Sequence, residues 1–257
     1  MKKILVCVKM VPVDFNAGLD SQFHVQRNKT GLQLNVADMA AVEAALSCPL
    51  EKEVTILSMG LKKSEDVLKD LLIRGADRAI LIKDKRMAGA DTFATAQVLK
   101  AAVRKLGDFA LIICGRRAVD GETGQIPGEL AAALEVPCIS NVNDIRTGEE
   151  TVICKKILEN GTEEAETGYP AILSVCEYSY RLRLPGIRQM RAAAEKKVEI
   201  WSSQELGLSE EQYGQKGSLT KVLKTARIDT GLRMGPKERD PEKGARRLME
   251  MIREVSV

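Results

Sequence analysis

The chain has few aromatic residues, a single histidine and no long apolar run, and each shortage removes a class of function. Phe, Trp and Tyr make up 4% of the 257 residues, too few for the stacked aromatic platform that holds single-stranded nucleic acid. Basic and acidic side chains nearly cancel, 39 against 36 for a net charge of +3, so no nucleic-acid partner is expected. His24 stands in the hydrophilic stretch DSQFHVQR, where a surface position is expected and no Ser-His-Asp or Cys-His set can be assembled around it. The six cysteines, at 7, 48, 114, 138, 154 and 176, never fall in a C-x-x-C spacing. That leaves out zinc patterns and small disulfide frameworks, and no carboxylate cluster has metal-ligand spacing. No apolar run approaches the length of a membrane span. The opening run in MKKILVCVKM stops at Lys9, too short for an export signal, and a reducing cytoplasm is the expected setting. A protein without an evident acid, base, nucleophile or metal leaves its chemistry to a cofactor.

What is present is an alternation of two periods. Residues 4–8 (ILVCV) form a short continuous apolar run, the pattern of a strand buried on both faces of a parallel sheet. Similar runs follow at Val54–Leu57, Ala79–Ile82 and Phe109–Cys114. Between them lie helical patterns. Asn35 is placed to cap a helix through MAAVEAAL, Ser64 precedes EDVLKDLLI, and Asp91 precedes TFATAQVLKAAVRKL, which stops at Gly107. The alternation predicts an α/β fold with a doubly wound parallel sheet. Residues 150–177 read as a hairpin, Thr151–Leu158, a turn at Glu159-Asn160-Gly161 and a polar return arm, followed by a strand Ala171–Cys176. Residues 1–177 are thus expected to form one α/β nucleotide-binding domain. From 178 to 240 little periodicity remains, until Pro241–Val255, where Ala245, Leu248, Met249, Ile252 and Val255 share one face. A stretch of that length is either disordered or an arm that packs on another chain, and Leu182, Leu184, Ile187, Ile200, Trp201 and Leu206, costly to leave in water, favour the arm.

One loop carries most of the chemical information: Cys114-Gly-Arg-Arg-Ala-Val-Asp-Gly-Glu-Thr-Gly-Gln-Ile-Pro-Gly-Glu129. It follows a strand and leads into a helix, the position at which open α/β sheets bind ligands. Gly115, Gly121 and Gly124 allow close backbone approach. Their amides, the Thr123 hydroxyl and the helix N-terminus suit a phosphate, Arg116 and Arg117 add charge, and Asp120 either holds the loop or accepts from a ribose. The plain alternative is a long turn with surface arginines. Neither G-x-G-x-x-G nor G-x-x-x-x-G-K-[ST] occurs, which speaks against a stand-alone NAD(P) oxidoreductase.

The run CGRRAVDGETGQIPGELAAALEVP resembles the adenine-nucleotide segment of electron-transfer flavoprotein beta (small) subunits, and other blocks agree in order. VCVKMVP resembles their opening strand, LSMGLKKSEDVLKDLLIRGADRAILI and GADTFATAQVL their next two units, RLRLPGIRQMRAAAEKKVEIWSSQELGL their recognition loop and arm, and GQKGSLTKVLKT a Gly-Ser-x-Thr segment of forms from anaerobes. Departures lie at the pocket: Asn35-Val36-Ala37-Asp38 stands for Asn-Pro-[aromatic]-Asp, Gly121-Glu122-Thr123 for Gly-Asp-Thr, and Gly124-Gln125 for Ala-Gln. The resemblance implies an adenine-nucleotide-hydrolase-like sheet whose C-terminal arm, 178–257, wraps an alpha subunit. It implies a cofactor-binding set of Cys7, Asn35, Val36, Ala37, Asp38, Met59, Gly115, Arg116, Arg117, Ala118, Val119, Asp120, Gly121, Glu122, Thr123, Gly124, Gln125 and Ile126. In such proteins the bound group is AMP or, in electron-bifurcating members linked to NADH, a second FAD, while the electron-transferring FAD sits mainly in the alpha subunit. Leu184 and Pro185 are implied to dock a flavin-dependent dehydrogenase such as an acyl-CoA dehydrogenase. A nucleotide-sensing module resembling the universal stress proteins shares a similar sheet but has no need of residues 178–257.

Overall fold

In a computed structural model that describes residues 1–13, 31–222 and 238–255, the first apolar run lies within β1 (Lys2–Val8). A ribbon of β2 (Met10–Pro12) and β3 (Leu32–Leu34) leads into α1 (Val36–Ser47). Then come β4 (Lys52–Met59), α2 (Ser64–Ile73), β5 (Arg78–Ile82), α3 (Thr92–Leu106), β6 (Leu111–Gly115) and α4 (Ile126–Leu134). The chain continues through β7 (Cys138–Thr147), β8 (Thr151–Leu158), β9 (Gly161–Gly168), β10 (Ala171–Val175), α5 (Ile187–Ala193), β11 (Glu199–Trp201), α6 (Gly214–Gly217) and α7 (Pro241–Val255). The His24 expectation lies outside the described residues.

One sheet of nine strands orders them β11-β5-β4-β1-β6-β10-β7-β8-β9, with pairing parallel from β11 to β7 and antiparallel through β8 and β9. Helices cover both faces. Ile4, Val6 and Val8 pack with α1 and α2, whereas Leu5 and Cys7 pack with α3 and α4. A strand between two helical layers has no water-facing side, which is why the run at 4–8 is apolar without alternation. The doubly wound α/β expectation therefore holds. Asp91 caps α3 through a bond from Ala94 N to its Oδ1 at 2.9 Å, and Gly107 ends that helix at a φ of 91°. Two caps differ from expectation. Ser64 lies inside α2, where its buried hydroxyl has no partner, and Asn35 precedes α1 but makes no capping bond.

Strand β7 escaped the periodicity reading. Ile139 and Val142, three residues apart, enter the same core cluster, and Ile145 packs against it. Register shifts on both sides of β7 and a φ of 58° at Asn141 produce this spacing. A bulge breaks the period of two on which strand reading depends, and Asn and Asp are depleted in strands. The hairpin expected at 150–177 is present as β8 and β9, with Leu158 opposite Gly161.

The larger correction concerns residues 178–222. By contacts one unit runs from Met1 to Val222 and a second from Leu223 to Val257, so this division does not fall at 177. Strand β11 joins the sheet parallel to β5, with Lys83 N donating to Trp201 O at 2.8 Å and the Arg78 guanidinium on Glu199 at 2.9 Å. Trp201 is buried, Leu182 and Leu206 pack on the two core clusters, and the Lys105 ammonium lies 4.4 Å over the Trp201 ring. Half of the apolar residues that seemed to need another chain are thus satisfied within this one, and three residues of strand were too few to register as a period. In the second unit, α7 exposes Leu248, Met249 and Ile252.

Replacing Trp201 by Ala is expected to lower the unfolding free energy by roughly 3–5 kcal/mol, the cost of emptying a large buried aromatic site. A urea titration checks it. An unchanged midpoint would show that β11 lies on the sheet without contributing to its stability.

Candidate functional site

The chain crosses from one side of β1 to the other between β5 and β6, because β4 and β5 lie on one flank of β1 and β6 and β10 on the other. The switch point falls at the carboxyl ends of β1 and β6, where crossovers diverge and leave a crevice. Three segments meet there: Lys9 after β1, Asn35–Asp38 opening α1, and Gly115–Ile126 after β6.

Their contact begins at Gly115. A side chain there would place its Cβ 2.1 Å from Asp38 Oδ1 and 2.8 Å from the Ala37 carbonyl carbon. The glycine content of the loop predicts room for a ligand at this position. The space is instead filled by the first turn of α1. Small residues along that helix, with Ala37, Ala40, Ala41, Ala44 and Ala45 all buried, let its backbone sit close to the sheet. Asp38 Oδ2 accepts from Lys9 N at 2.7 Å. Burial pushes the Asp38 carboxyl up to about 7, against the opposing pull of hydrogen bonds from Lys9 N and the Asn35 side chain.

Asn35 is fully buried and holds the loop by its backbone. Its Nδ2 donates to Arg117 O at 2.9 Å, and its Oδ1 accepts from Val119 N at 3.1 Å. Lys9 Nζ donates to Asp120 Oδ1 at 2.6 Å, with the Asp120 side chain only 3% exposed. Of the two roles open to Asp120, the geometry carries that of holding the loop. Glu122 N closes a turn onto Ala118 O at 2.8 Å. Arg116 and Arg117 both turn to Glu177, at 2.8 and 3.3 Å. Burial alone would raise the Glu177 carboxyl, but the Arg116 guanidinium and its neighbours hold it below the usual range.

The second half of the loop is different. Gly121, Glu122, Thr123, Gly124 and Gln125 are exposed. A Cβ on Gly121 would meet nothing within 4 Å, and Gly124 adopts a φ of 64°. Gln125 Oε1 lies 3.0 Å from Thr92 Oγ1, at the start of α3, and Ile126 begins α4, half-buried on the second core cluster. Val36 is half-buried at the first position of α1. Cys7 and Cys114 are register partners on β1 and β6, and both are buried. A hydrogen bond with Cys7 and burial together push the Cys114 thiol well up, so Cys114 is a packing thiol, as its apolar surroundings predict. Met59 ends β4 beside β1, half-buried on the second cluster. Leu184 stands elsewhere, 84% exposed, next to the half-buried Pro185.

Sequence reasoning missed Lys9, Glu177 and the Gly217-Ser218-Leu219-Thr220 contact. Thr220 donates from its amide and its hydroxyl to Asp91 Oδ2 at 2.9 and 3.0 Å, and Asp91 N lies 2.9 Å from Ser218 Oγ. The available signals were a lysine ending a buried strand and a glycine that cannot carry a side chain: a Cβ on Gly217 would lie 2.5 Å from the Gln212 carbonyl carbon. Among the described residues no group of three or more His, Cys, Asp or Glu is placed to hold a metal, and no helix is long and apolar enough to cross a membrane.

A doubly wound α/β sheet with a clasped, partly open loop at its switch point defines the class of open-sheet α/β proteins whose crevice lies at the carboxyl ends of the strands. Residues 22–206 match the electron transfer flavoprotein domain family, and the chain belongs to that family. It is 33% identical over 232 residues to an electron transfer flavoprotein subunit beta of Megasphaera elsdenii, covering 86% of each chain. It is 32% identical over 227 residues to the caffeyl-CoA reductase-Etf complex subunit CarD of Acetobacterium woodii, covering 87% of each. To the acryloyl-CoA reductase electron transfer subunit gamma of Anaerotignum propionicum it is 34% identical over 177 residues, covering 67% of this chain and 66% of that one. The resemblance to beta subunits of anaerobes is thereby confirmed, the family is flavin-associated, and the role is electron transfer. The universal-stress-protein alternative is set aside.

Two predictions follow from the clasp. Gly115→Ala is expected to cost about 1–3 kcal/mol by overpacking, whereas Gly121→Ala, with open space around it, leaves the unfolding midpoint within about 0.5 kcal/mol of the parent. The second concerns pH. The folded Asp38 carboxyl sits near 7, above its unfolded value of about 4, so the folded state binds the proton more tightly. The associated stability is complete below about pH 4 and is lost as pH rises through about 7, by up to about 4 kcal/mol. Asp38→Asn removes that slope while keeping an acceptor for Lys9 N. Parallel pH–stability curves for parent and variant would refute the assignment.

Proposed function

We propose that this chain acts as the beta subunit of a heterodimeric electron-transfer flavoprotein, with an adenine nucleotide, AMP or a second FAD, held by the loop Gly115–Ile126. The observation that carries this reading is the division of that loop. Residues 116–120 are tied down by Asn35, Lys9 and Glu177, while residues 121–125 are exposed at the start of α4.

The donor set fits a phosphate-bearing group. It comprises backbone amides at a helix N-terminus, the exposed Thr123 hydroxyl and the Arg116 Nε, which is buried with no hydrogen-bond partner among the described residues. Cys7 and Met59, at the ends of adjacent strands, offer an apolar rest for an adenine face. A flavin, held mainly by the alpha subunit, would supply the electron transfer; the residues of this chain would hold the adenine nucleotide and keep the loop closed against β1. The tether from Asn35 to the backbone of 117–119 fixes the loop before any ligand arrives, which reduces the ordering cost of binding.

The relatives are named as subunits of larger redox complexes, which supports an alpha-subunit partner here; a flavin-dependent dehydrogenase is the electron donor we assign. The exposed Leu184, followed by Pro185, is the anchor we assign to that donor: an apolar side chain flanked by Arg181, Arg183 and Arg188 suits a transient contact. Of the arm 178–257, the exposed apolar side chains Ile187 and Ile200 and the amphipathic α7 are assigned to the alpha subunit, and the setting to the cytoplasm. NADH-linked bifurcation belongs to this proposal only if the second nucleotide is FAD.

The test is to co-express the chain with its alpha partner, denature the purified complex and count AMP and FAD released. Gly121→Val is expected to empty the beta-subunit site while the nucleotide-free chain melts as the nucleotide-free parent does, because its side chain meets nothing in the fold and blocks only a ligand's approach. Thr123→Val is expected to weaken binding by ~1.5–3 kcal/mol, one hydrogen bond to a charged group. Full occupancy in Gly121→Val would sink the assignment.

A further inference from the structure

Residues 178–186 form neither helix nor strand, yet side chains fix them along their length. Ser179 Oγ lies 2.8 Å from Asn143 Oδ1, and Tyr180 OH accepts from Ile145 N at 2.8 Å, both on β7. Leu182 packs on the first core cluster. Arg183 is held at both ends of its peptide unit and by its guanidinium. Its amide donates to Glu43 Oε2 at 3.0 Å, its Nη2 donates to Glu43 Oε1 at 2.7 Å, and its carbonyl accepts from Arg74 Nη1. Arg74 is itself oriented by Asp70 Oδ2 at 2.6 Å. Glu43 is on α1 and Arg74 caps α2, so two rigid helices grip the residue immediately before the exposed Leu184.

The grip has the features of an ordering device. The Glu43 side chain is 12% exposed, so its charge is largely withdrawn from water and requires the fork-like guanidinium that matches it. A planar guanidinium also serves the Arg183 carbonyl, a backbone acceptor that no strand or helix satisfies. A surface leucine on an unrestrained loop would lose freedom on docking and weaken the contact, whereas one held in advance does not.

We propose that Glu43 and Arg74 are positioning residues for partner docking, holding Arg183 so that Leu184 is presented to the electron donor in a single arrangement. This rests on the reading of Leu184 as the donor's anchor. Neither residue touches the donor.

The experiment uses the purified heterodimer and a reduced acyl-CoA dehydrogenase chosen because it reduces the parent complex. Glu43→Gln and Arg74→Met are each expected to raise the heterodimer concentration for half-maximal electron uptake by about tenfold. The limiting rate and the flavin content should stay as in the parent, and the amides of 182–186 should exchange faster. Arg74→Lys, which keeps the charge but not the planar fork, recovers only part of the loss. Leu184→Ala, run alongside, raises the same constant without changing exchange at 182–186. If Leu184→Ala raises it while Glu43→Gln and Arg74→Met leave both constant and exchange unaltered, the positioning role is wrong and the docking site stands. If Leu184→Ala has no effect, the docking reading fails and the positioning role with it.

Discussion

The structure depends on one close approach. The first turn of α1 comes so near the end of β6 that Asp38 Oδ1 occupies the place of a Gly115 side chain. Only the smallest residue on the strand, and a helix surfaced with alanine, permit it. Because the helix sits there, Asp38 reaches the Lys9 amide and Asn35 reaches the backbone of Arg117 and Val119. A larger residue at 115 would lift α1 and release all three loops of the switch point together.

That approach carries a polar cost. Asn35 and Asp38 lie buried at the edge of an otherwise apolar core. A buried amide is tolerated when both of its ends are used, and Asn35 uses one to donate and one to accept. Asp38 is less well served, since burial pushes its carboxyl to about 7. The fold accepts that local penalty together with a loop held by side-chain bonds to its backbone, a pattern common where a site must be preorganised.

Helix α1 links two surface loops. Its first turn packs on the loop after β6, and one turn and a half further on Glu43 holds Arg183 and the segment before Leu184. A helix of α1's length behaves as a stiff rod. The loop after β6 and the segment carrying Leu184 therefore share one rigid reference, and a change that shifts α1 is felt at both.

By itself the sequence determined the alternation of buried strands and helices from 4 to 115, the α3 cap at Asp91, the stop at Gly107 and the hairpin after Thr151. Each of these is written in neighbouring residues, by hydrophobic period, cap chemistry or turn propensity. It also marked the loop after β6 as the place of interest, by glycine content and position after a strand. Only the tertiary structure decided which groups close that loop. Lys9 and Asp120 are 111 residues apart, Arg116 and Glu177 61, Glu43 and Arg183 140. A charged side chain carries no record of its partner, and the pairings exist because the sheet order brings remote crossovers to one edge. Strand β7 was hidden because bulges break its period. Strand β11 was hidden because three residues are too few to show one, and its place beside β5 is set by a buried tryptophan rather than by a repeating pattern.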